Sequence, residues 1–240
     1  VRGNITDLSD LAQMVNLEEL ALCNQKIEDI SGLKELPLKK LYLSKNMITD
    51  FSVLLNLIDL DTLCIMENPA DNLSVLGECT GILRLNIQGM NLTDIDFLKN
   101  LSLDYLDMSN VEVENNIFEP LTEMKKLDTL CMCDVNEAAA ETLSQMSTLK
   151  VLFMWGDSTI LENLKPLKGM TQLETLAFTT QISSLEGIEQ FPSLNFLSVS
   201  FSLVKDLSPV TGAKNLQVID ISNADIKNFE PLFGHSGLTE

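Results

Sequence analysis

Residues 38–59 read LKKLYLSKNMITDFSVLLNLID, and residues 60–81 repeat the same layout as LDTLCIMENPADNLSVLGECTG. Both stretches carry apolar residues at positions 1, 4 and 6, asparagine at position 9, and a second apolar set at positions 14, 17 and 20. Apolar residues at every second place, as at positions 4 and 6, have the period of a short strand with one buried face. Because one such strand cannot bury its face alone, the layout predicts parallel strands stacked on a shared core.

The same layout extends over the whole chain as ten units that follow one another every 21 to 24 residues. Each unit has apolar residues at positions 1, 4 and 6, and the units begin at Leu17, Leu38, Leu60, Ile82, Leu103, Leu127, Leu149, Leu173, Leu194 and Leu216. A partial unit occupies residues 1–16, and another begins at residue 238. We therefore predict one solenoid domain over residues 1–240. Neither partial unit has a polar cap, so we expect a segment of a longer protein whose ends favour end-to-end or homo-oligomeric association.

The second half of each unit returns the chain along the opposite side of the predicted sheet. Too few residues remain there for regular α-helices, so we expect 3-10 or irregular turns in most units. Asp29, Asp50 and Asp206 stand just before such turns, where a carboxylate can cap free N–H groups; capping explains one aspartate per unit better than calcium binding does. Residues 136–143 are rich in helix formers and predict a short α-helix. The fifth and seventh units have 24 residues, and we expect each to bulge on this side.

The full pattern, L-x-x-L-x-L-x-x-N-x-I-x-D-I-x-x-L-x-x-L, resembles the 22-residue leucine-rich repeats of bacterial internalin-like proteins. It is also similar to the repeats of an intracellular phosphatase-regulating subfamily. The resemblance implies an α/β, β-rich, right-handed solenoid. Its curved parallel β-sheet forms the concave face, and 3-10 or irregular turns with occasional short helices form the convex face. One departure is that position 9, usually asparagine in these repeats, keeps it only at Asn46 and Asn68, so we expect looser turns elsewhere.

Composition excludes several classes of function. The formal net charge of −19 and the sequence pI of about 4.3 disfavour nucleic acid, which basic patches bind. No apolar run is long enough to span a membrane. The single histidine, His235, leaves little from which to build a catalytic triad, so we expect no enzyme and no cofactor. Five cysteines fit no disulfide framework, and Cys131 with Cys133 lacks further ligands for a metal; a redox-sensitive pair is the alternative to plain packing there.

Positions 3, 5 and 7 of each unit point away from the predicted core, onto the concave face of the sheet. In the seventh to ninth units these and the next position carry a cluster of large side chains, which Tyr105 of the fifth unit extends at lower density. The predicted partner-binding residues are Val151, Phe153, Trp155, Phe196, Phe201 and Tyr105. Exposed aromatic residues grouped on one face are typical of protein-binding surfaces. The alternative is local packing, in which Phe153 or Phe201 lies under a neighbouring loop or the long seventh unit covers the cluster.

The sequence thus predicts a non-catalytic module that binds a protein partner on its concave face. The resemblance favours part of a bacterial surface or secreted protein. An intracellular regulatory scaffold, resembling the phosphatase-binding repeats, is the alternative. Carbohydrate binding through Trp155 is a weaker alternative, because few acidic or amide side chains flank this residue.

Overall fold

Short parallel strands joined by turns make up the fold. The computed structural model describes residues 5–113, 118–133, 135–156, 161–179, 182–233, 235, 237 and 238. Contacts divide the chain into two compact units, which we call the N-terminal unit (Val1–Lys126) and the C-terminal unit (Leu127–Glu240). One domain over residues 1–240 stays a prediction, as does association through the ends.

The N-terminal unit contains a five-stranded parallel sheet and a small two-stranded ladder. Its strands are β1 (Glu19–Ala21), β2 (Lys40–Tyr42), β3 (Thr62–Cys64), β4 (Arg84–Asn86), β5 (Asn91–Leu92), β6 (Tyr105–Asp107) and β7 (Glu112–Val113). The sheet order is β1-β2-β3-β4-β6, and β5 pairs with β7. Each sheet strand begins at position 3 of its repeat, and equal repeat positions pair, as Leu20 with Leu41. The repeat register of the sequence is therefore the register of the sheet.

The C-terminal unit has the same design. Its strands are β8 (Thr129–Cys133), β9 (Val151–Trp155), β10 (Thr175–Phe178), β11 (Phe196–Ser198) and β12 (Val218–Asp220), in this order across the sheet. The predicted helix is confirmed as α1 (Glu137–Leu143). The side chain of Asn136 caps it by accepting a hydrogen bond from the Ala139 N–H at 2.9 Å. The bulges expected in the fifth and seventh units fall where residues 114–117 and 157–160 lie outside the described residues.

Leucines and isoleucines at the repeat's apolar positions form the core of each unit. Leu41, Leu63 and Leu176 are at most 1% exposed. Burying such a side chain fully is worth about 1.5–3 kcal/mol against leaving it in water. On the outermost described strands the same positions, Leu20 and Ile219, are only half-buried. Each of these residues has a described strand on one side only, so stacking with neighbouring repeats is what completes the core.

The return segments form 3-10 turns, as the sequence predicts. In the N-terminal unit they are Ser9–Gln13, Ser31–Leu33, Ser52–Asn56, Ser74–Glu78, Asp96–Asn100 and Glu119–Glu123; in the C-terminal unit they are Lys165–Leu167, Ile188–Gln190, Ser208–Gly212 and Glu230–Leu232. The expected aspartate caps are confirmed, because Oδ1 of Asp29 and Oδ1 of Asp50 accept hydrogen bonds from the N–H groups of Ser31 and Ser52 at 2.7 and 2.8 Å. The bonded N–H belongs to the first residue of each turn, two residues beyond the aspartate.

Asparagine at position 9 closes the bend after the strand in the N-terminal unit. Oδ1 of Asn46 accepts hydrogen bonds from the N–H groups of Gln25 and Ile27, at 2.9 and 3.1 Å. Its Nδ2 donates to the carbonyl oxygens of Leu22 and Leu43, at 2.7 and 2.8 Å. One side chain thus joins two successive repeats. Asn68 acts in the same way one repeat further on.

Position 8, just before this bend, takes the left-handed backbone conformation in every repeat whose position 8 is described. The residues there are Asn24, Lys45, Glu67, Gly89, Asn110, Gly156, Phe201 and Asn223. Glycine and asparagine adopt this conformation readily, whereas a bulky side chain is strained in it. Phe201 is therefore the residue least suited to its backbone in this series.

Candidate functional site

Strand β9 carries the centre of the predicted surface. Its side chains alternate, with Leu152 and Met154 fully buried in the core and Val151, Phe153 and Trp155 half-buried on the opposite, open face. The rings of Phe153 and Trp155 stack nearly parallel, with centroids 5.5 Å apart and planes inclined by 8°. Two successive outward residues on one strand thus form a single aromatic block.

Small side chains line the next strand, β10. Phe153 pairs in register with Ala177, which pairs in turn with Ser198. Ala177 has the smallest side chain of this row and is 3% exposed, so it lies below the surface that its larger neighbours form. In the parallel row, Val151 pairs with Thr175, and Thr175 pairs with Phe196 on β11. On the open face, small side chains of β10 therefore lie between the aromatic block on one side and Phe196 on the other. We call this region the aromatic trough.

Phe201 follows β11 and is the most exposed aromatic residue of the predicted set. Its side chain is 67% exposed, so it does not pack under a neighbouring loop, which was the alternative for this residue. Its φ of 59° lies in the left-handed region, where a bulky side chain costs on the order of 1–3 kcal/mol. Strain at an exposed aromatic residue gives no gain in packing, so packing does not account for phenylalanine here.

Tyr105 lies apart from these residues in sequence, on strand β6 of the N-terminal unit. The guanidinium carbon of Arg84 stands 4.6 Å from the centroid of its ring, which is cation–π geometry. The half-buried ring therefore already has a partner within its own unit. Its role in extending the aromatic trough stays a prediction.

Sequence reasoning missed a polar cluster beside the aromatic trough. Asp220 on β12 accepts hydrogen bonds from the Ser198 hydroxyl at 2.9 Å and from the Ser222 N–H at 2.9 Å. Ser198 and Ser200 lie within hydrogen-bond distance of each other, at 3.1 Å. The hydrogen bonds from Ser222 hold the pKa of Asp220 below its usual value, and those from Ser198 and Ser200 add to this. The available signal was serine at positions 5 and 7 of one unit beside aspartate at position 5 of the next.

The two sheet faces differ in charge. In the C-terminal unit, positions 3, 5 and 7 of the five repeats hold one charged residue, Asp220, and no lysine or arginine. In the N-terminal unit the same positions hold Glu19, Lys40, Arg84 and Asp107. Two of these form an ion pair, since Lys40 Nζ lies 3.5 Å from a carboxylate oxygen of Glu19. The sheet face of the C-terminal unit thus carries apolar and hydroxyl-bearing side chains and a single carboxylate, that of Asp220.

The cysteines give no sign of reactive chemistry. Cys131 and Cys133 pair in register with Phe153 and Trp155 along β8, where Cys131 is buried and Cys133 half-buried. Burial raises the pKa of the Cys79 thiol, which keeps that thiol protonated. Over the described part of the chain, no three His, Cys, Asp or Glu side chains gather as a metal ion would require. His235 Nε2 contacts the Ala213 carbonyl oxygen at 2.9 Å.

A second apolar feature lies in the N-terminal unit, at the bend that precedes the strands. Ile58 is 83% exposed and Leu55 is 43% exposed, and both line a groove of about 160 Å³ with Cys79 and Gly81. Leu55 and Ile58 occupy positions 18 and 21, outside the buried positions of the repeat. Apolar residues at these variable positions were the signal that sequence reasoning did not use.

No helix among the described residues is long and apolar enough to cross a membrane.

Comparison with known proteins supports the fold. No protein-family model matches the chain. The chain is similar to the crystal structure of an internalin from Listeria monocytogenes, with 24% sequence identity, a TM-score of 0.75, and coverage of 98% of this chain and 70% of that one. A second internalin from the same organism matches with 22% identity, a TM-score of 0.55, and coverage of 90% and 84%. The ectodomain of an Arabidopsis thaliana membrane receptor kinase, in complex with a Casparian strip integrity factor, matches with 17% identity, a TM-score of 0.59, and coverage of 96% and 30%. The fold is therefore a leucine-rich-repeat solenoid, as predicted.

Proposed function

We propose that this protein is a non-catalytic binding module that holds a protein partner against the sheet face of its C-terminal unit. The observation that carries the proposal is the Phe153–Trp155 stack beside the small side chain of Ala177. Val151, Phe196 and Phe201 complete the surface. Aromatic side chains next to a shallow depression are what hot spots of protein interfaces consist of, because they bury a large area at small entropic cost.

Carbohydrate binding is the weaker candidate for the same surface. A sugar packs its flat face on an exposed aromatic face. Phe153 and Trp155 turn faces toward each other at an inclination of 8°, which removes one face of each ring from that use. A side chain inserted over Ala177 fits this arrangement better, because it meets apolar ring edges.

The test compares partner capture by three forms of the protein. Phe153→Ser/Trp155→Ser removes the aromatic block, and Tyr42→Ser is the control, since Tyr42 is a half-buried aromatic residue on the sheet face of the N-terminal unit. Both variants are expected to fold, because none of the three side chains belongs to the core; circular dichroism checks this. We expect the double variant to lose at least about tenfold in affinity, in line with hot-spot residues, and the control to bind as the wild type does.

Intrinsic fluorescence makes the same test local. Trp155 is the only tryptophan of the chain, so its emission reports this surface alone. Binding of a captured partner should shift the emission to the blue as Trp155 leaves water. A partner that binds the wild type and the double variant equally, without moving the emission, would falsify the proposal.

For the cellular setting we propose a bacterial surface or secreted protein, supported by the similarity to internalins. The alternative is an intracellular regulatory scaffold, which the five cysteines favour, because none of them forms a disulfide and thiols persist in reducing compartments. Protease treatment of intact cells separates the two settings. Loss of the protein from intact cells indicates the surface, and its survival until lysis indicates the interior.

A further inference from the structure

We infer that the partner segment seated in the aromatic trough is an extended, basic peptide, in which an apolar side chain and a lysine or arginine stand four residues apart. This inference rests on the proposed function and adds the chemistry of the partner. It follows from the distance between Asp220 and the aromatic block, from the negative charge of Asp220, and from the small side chains that lie between the two.

Asp220 is the one charged group on this face, and it is held in its ionised form. Its two carboxylate oxygens accept hydrogen bonds from Ser222 and Ser198. Among the described residues it forms no ion pair, although ion pairs join neighbouring repeats elsewhere, as between Lys150 and Asp128 at 3.1 Å. A fixed negative charge without a cation, in a chain of net charge −19, is complementary to a basic group on the partner.

The register of the sheet fixes the distance between the two anchors. Phe153, Ala177, Ser198 and Asp220 occupy one row across β9, β10, β11 and β12. Phe153 and Asp220 are therefore three strand spacings apart, or about 14 Å at about 4.8 Å per spacing. An extended peptide advances about 3.4 Å per residue, so about four residues cover this distance. Side chains four apart point to the same side of an extended chain, so both reach the sheet.

The residues between the anchors leave room for a backbone. Ala177 and Ser198 have small side chains, so no large side chain belongs to this row between Phe153 and Asp220; their neighbours cover most of both, at 3% and 6% exposed. Ser200 and Thr179 in the next row are also small and bring hydroxyl groups to the floor. A peptide lying across the strands thus finds an apolar contact at one end, hydroxyl groups beneath it and a carboxylate at the other end.

The experiment selects peptides from a random twelve-residue library displayed on phage, using the whole chain as bait. Parallel selections use Asp220→Asn, which keeps an oxygen acceptor for Ser222, and Phe153→Ser/Trp155→Ser. The matched control is Asp107→Asn, because Asp107 holds the same repeat position in the N-terminal unit and accepts a hydrogen bond from the Ser109 N–H at 3.0 Å. Selected peptides are then synthesised, and their affinities for all four proteins are measured by isothermal titration calorimetry, because the aromatic double variant has no tryptophan.

We expect the wild-type selection to enrich an apolar residue with lysine or arginine four places away. These peptides should bind Asp220→Asn at least about fivefold more weakly, as for loss of a charge contact, and bind Asp107→Asn unchanged. Peptides that need the aromatic block but carry no basic residue, and bind Asp220→Asn as well as the wild type, would overturn the inference and leave the proposed function standing. Peptides that bind the aromatic double variant equally well, or no enrichment at all, would count against both.

Discussion

The N-terminal and C-terminal units place different chemistry on the same scaffold. In both, strands begin at position 3 of the repeat and pair in the same register. In the N-terminal unit three of the four charged side chains of the open face have a charged or aromatic partner, since Lys40 pairs with Glu19 and Arg84 covers the Tyr105 ring. Among the described residues of the C-terminal unit, no cation stands over an aromatic ring. The core constrains only the inward positions of the repeat. The outward positions can therefore carry side chains that pair with one another, or side chains that are available to a partner.

The two units also differ in the hydrogen bonds that position 9 makes at the bend after a strand. In the N-terminal unit Asn46 bonds backbone groups of two repeats. In the C-terminal unit position 9 of the ninth repeat is Ser202, whose hydroxyl donates to the Val199 carbonyl oxygen at 2.6 Å within its own repeat and accepts from the Val204 N–H at 3.3 Å. Asn46 thus joins two repeats, whereas Ser202 bonds only within its own repeat.

The largest expected effect tests this difference in the bends. Asn46→Ala should lower the free energy of unfolding by about 2–4 kcal/mol, because it leaves the N–H of the fully buried Ile27 without its acceptor. Ser202→Ala should lower it by only about 1 kcal/mol, since its bonds are fewer and stay within one repeat. Urea unfolding followed by circular dichroism measures both values. If the two variants lost equal free energy of unfolding, the proposed difference between the Asn46 and Ser202 bends would be wrong.

A smaller effect, of opposite sign, is expected at Phe201. Replacing Phe201 by glycine should raise the free energy of unfolding by about 0.5–1 kcal/mol, because glycine adopts the left-handed backbone without strain. Asn223→Gly, at the same repeat position one unit later, is the control and should change it little. The same Phe201→Gly variant should bind a partner of the trough more weakly. A glycine variant that is less stable than the wild type would show that the phenylalanine contributes to packing after all.

The smallest expected effect concerns the caps of the 3-10 turns. Hydrogen bonds from the Ser52 N–H and hydroxyl hold the pKa of Asp50 below its ordinary value of 3.8. A carboxyl whose pKa is lower in the folded state stabilises the fold above its unfolded pKa, and this contribution is lost as the pH falls through the folded pKa. The melting temperature should therefore decline below about pH 4, and less steeply in Asp50→Asn, which keeps the acceptor without the charge. Asn72 makes the same bond to Ser74 at 2.8 Å, so Asn72→Asp should steepen the decline. Identical pH profiles for all three proteins would contradict this account.

The sequence was enough to predict which residues of the candidate surface point outward. It was not enough to predict how their side chains combine. The alternation along β9 assigned Val151, Phe153 and Trp155 to the open face, where they lie. The pattern gave no indication of the stack between Phe153 and Trp155, because stacking depends on side-chain rotamers. It also gave none of the left-handed φ at Phe201, because a propensity argument would place glycine or asparagine there. The hydrogen bonds to Asp220 went unseen, since Ser198 lies 22 residues away.

By itself the sequence determined the strands, their register and the side of the sheet on which each residue lies. The physical reason is that a strand buries its apolar face only by stacking on the next repeat, so the spacing of the leucines fixes the backbone. Tertiary structure alone decided how the outward side chains combine. Contacts between repeats gave Tyr105 a cation and gave Asp220 the Ser198 hydroxyl as a donor, and side-chain rotamers left Trp155 stacked on Phe153. These groupings join residues of adjacent strands or depend on local rotamers, and no core requirement constrains them.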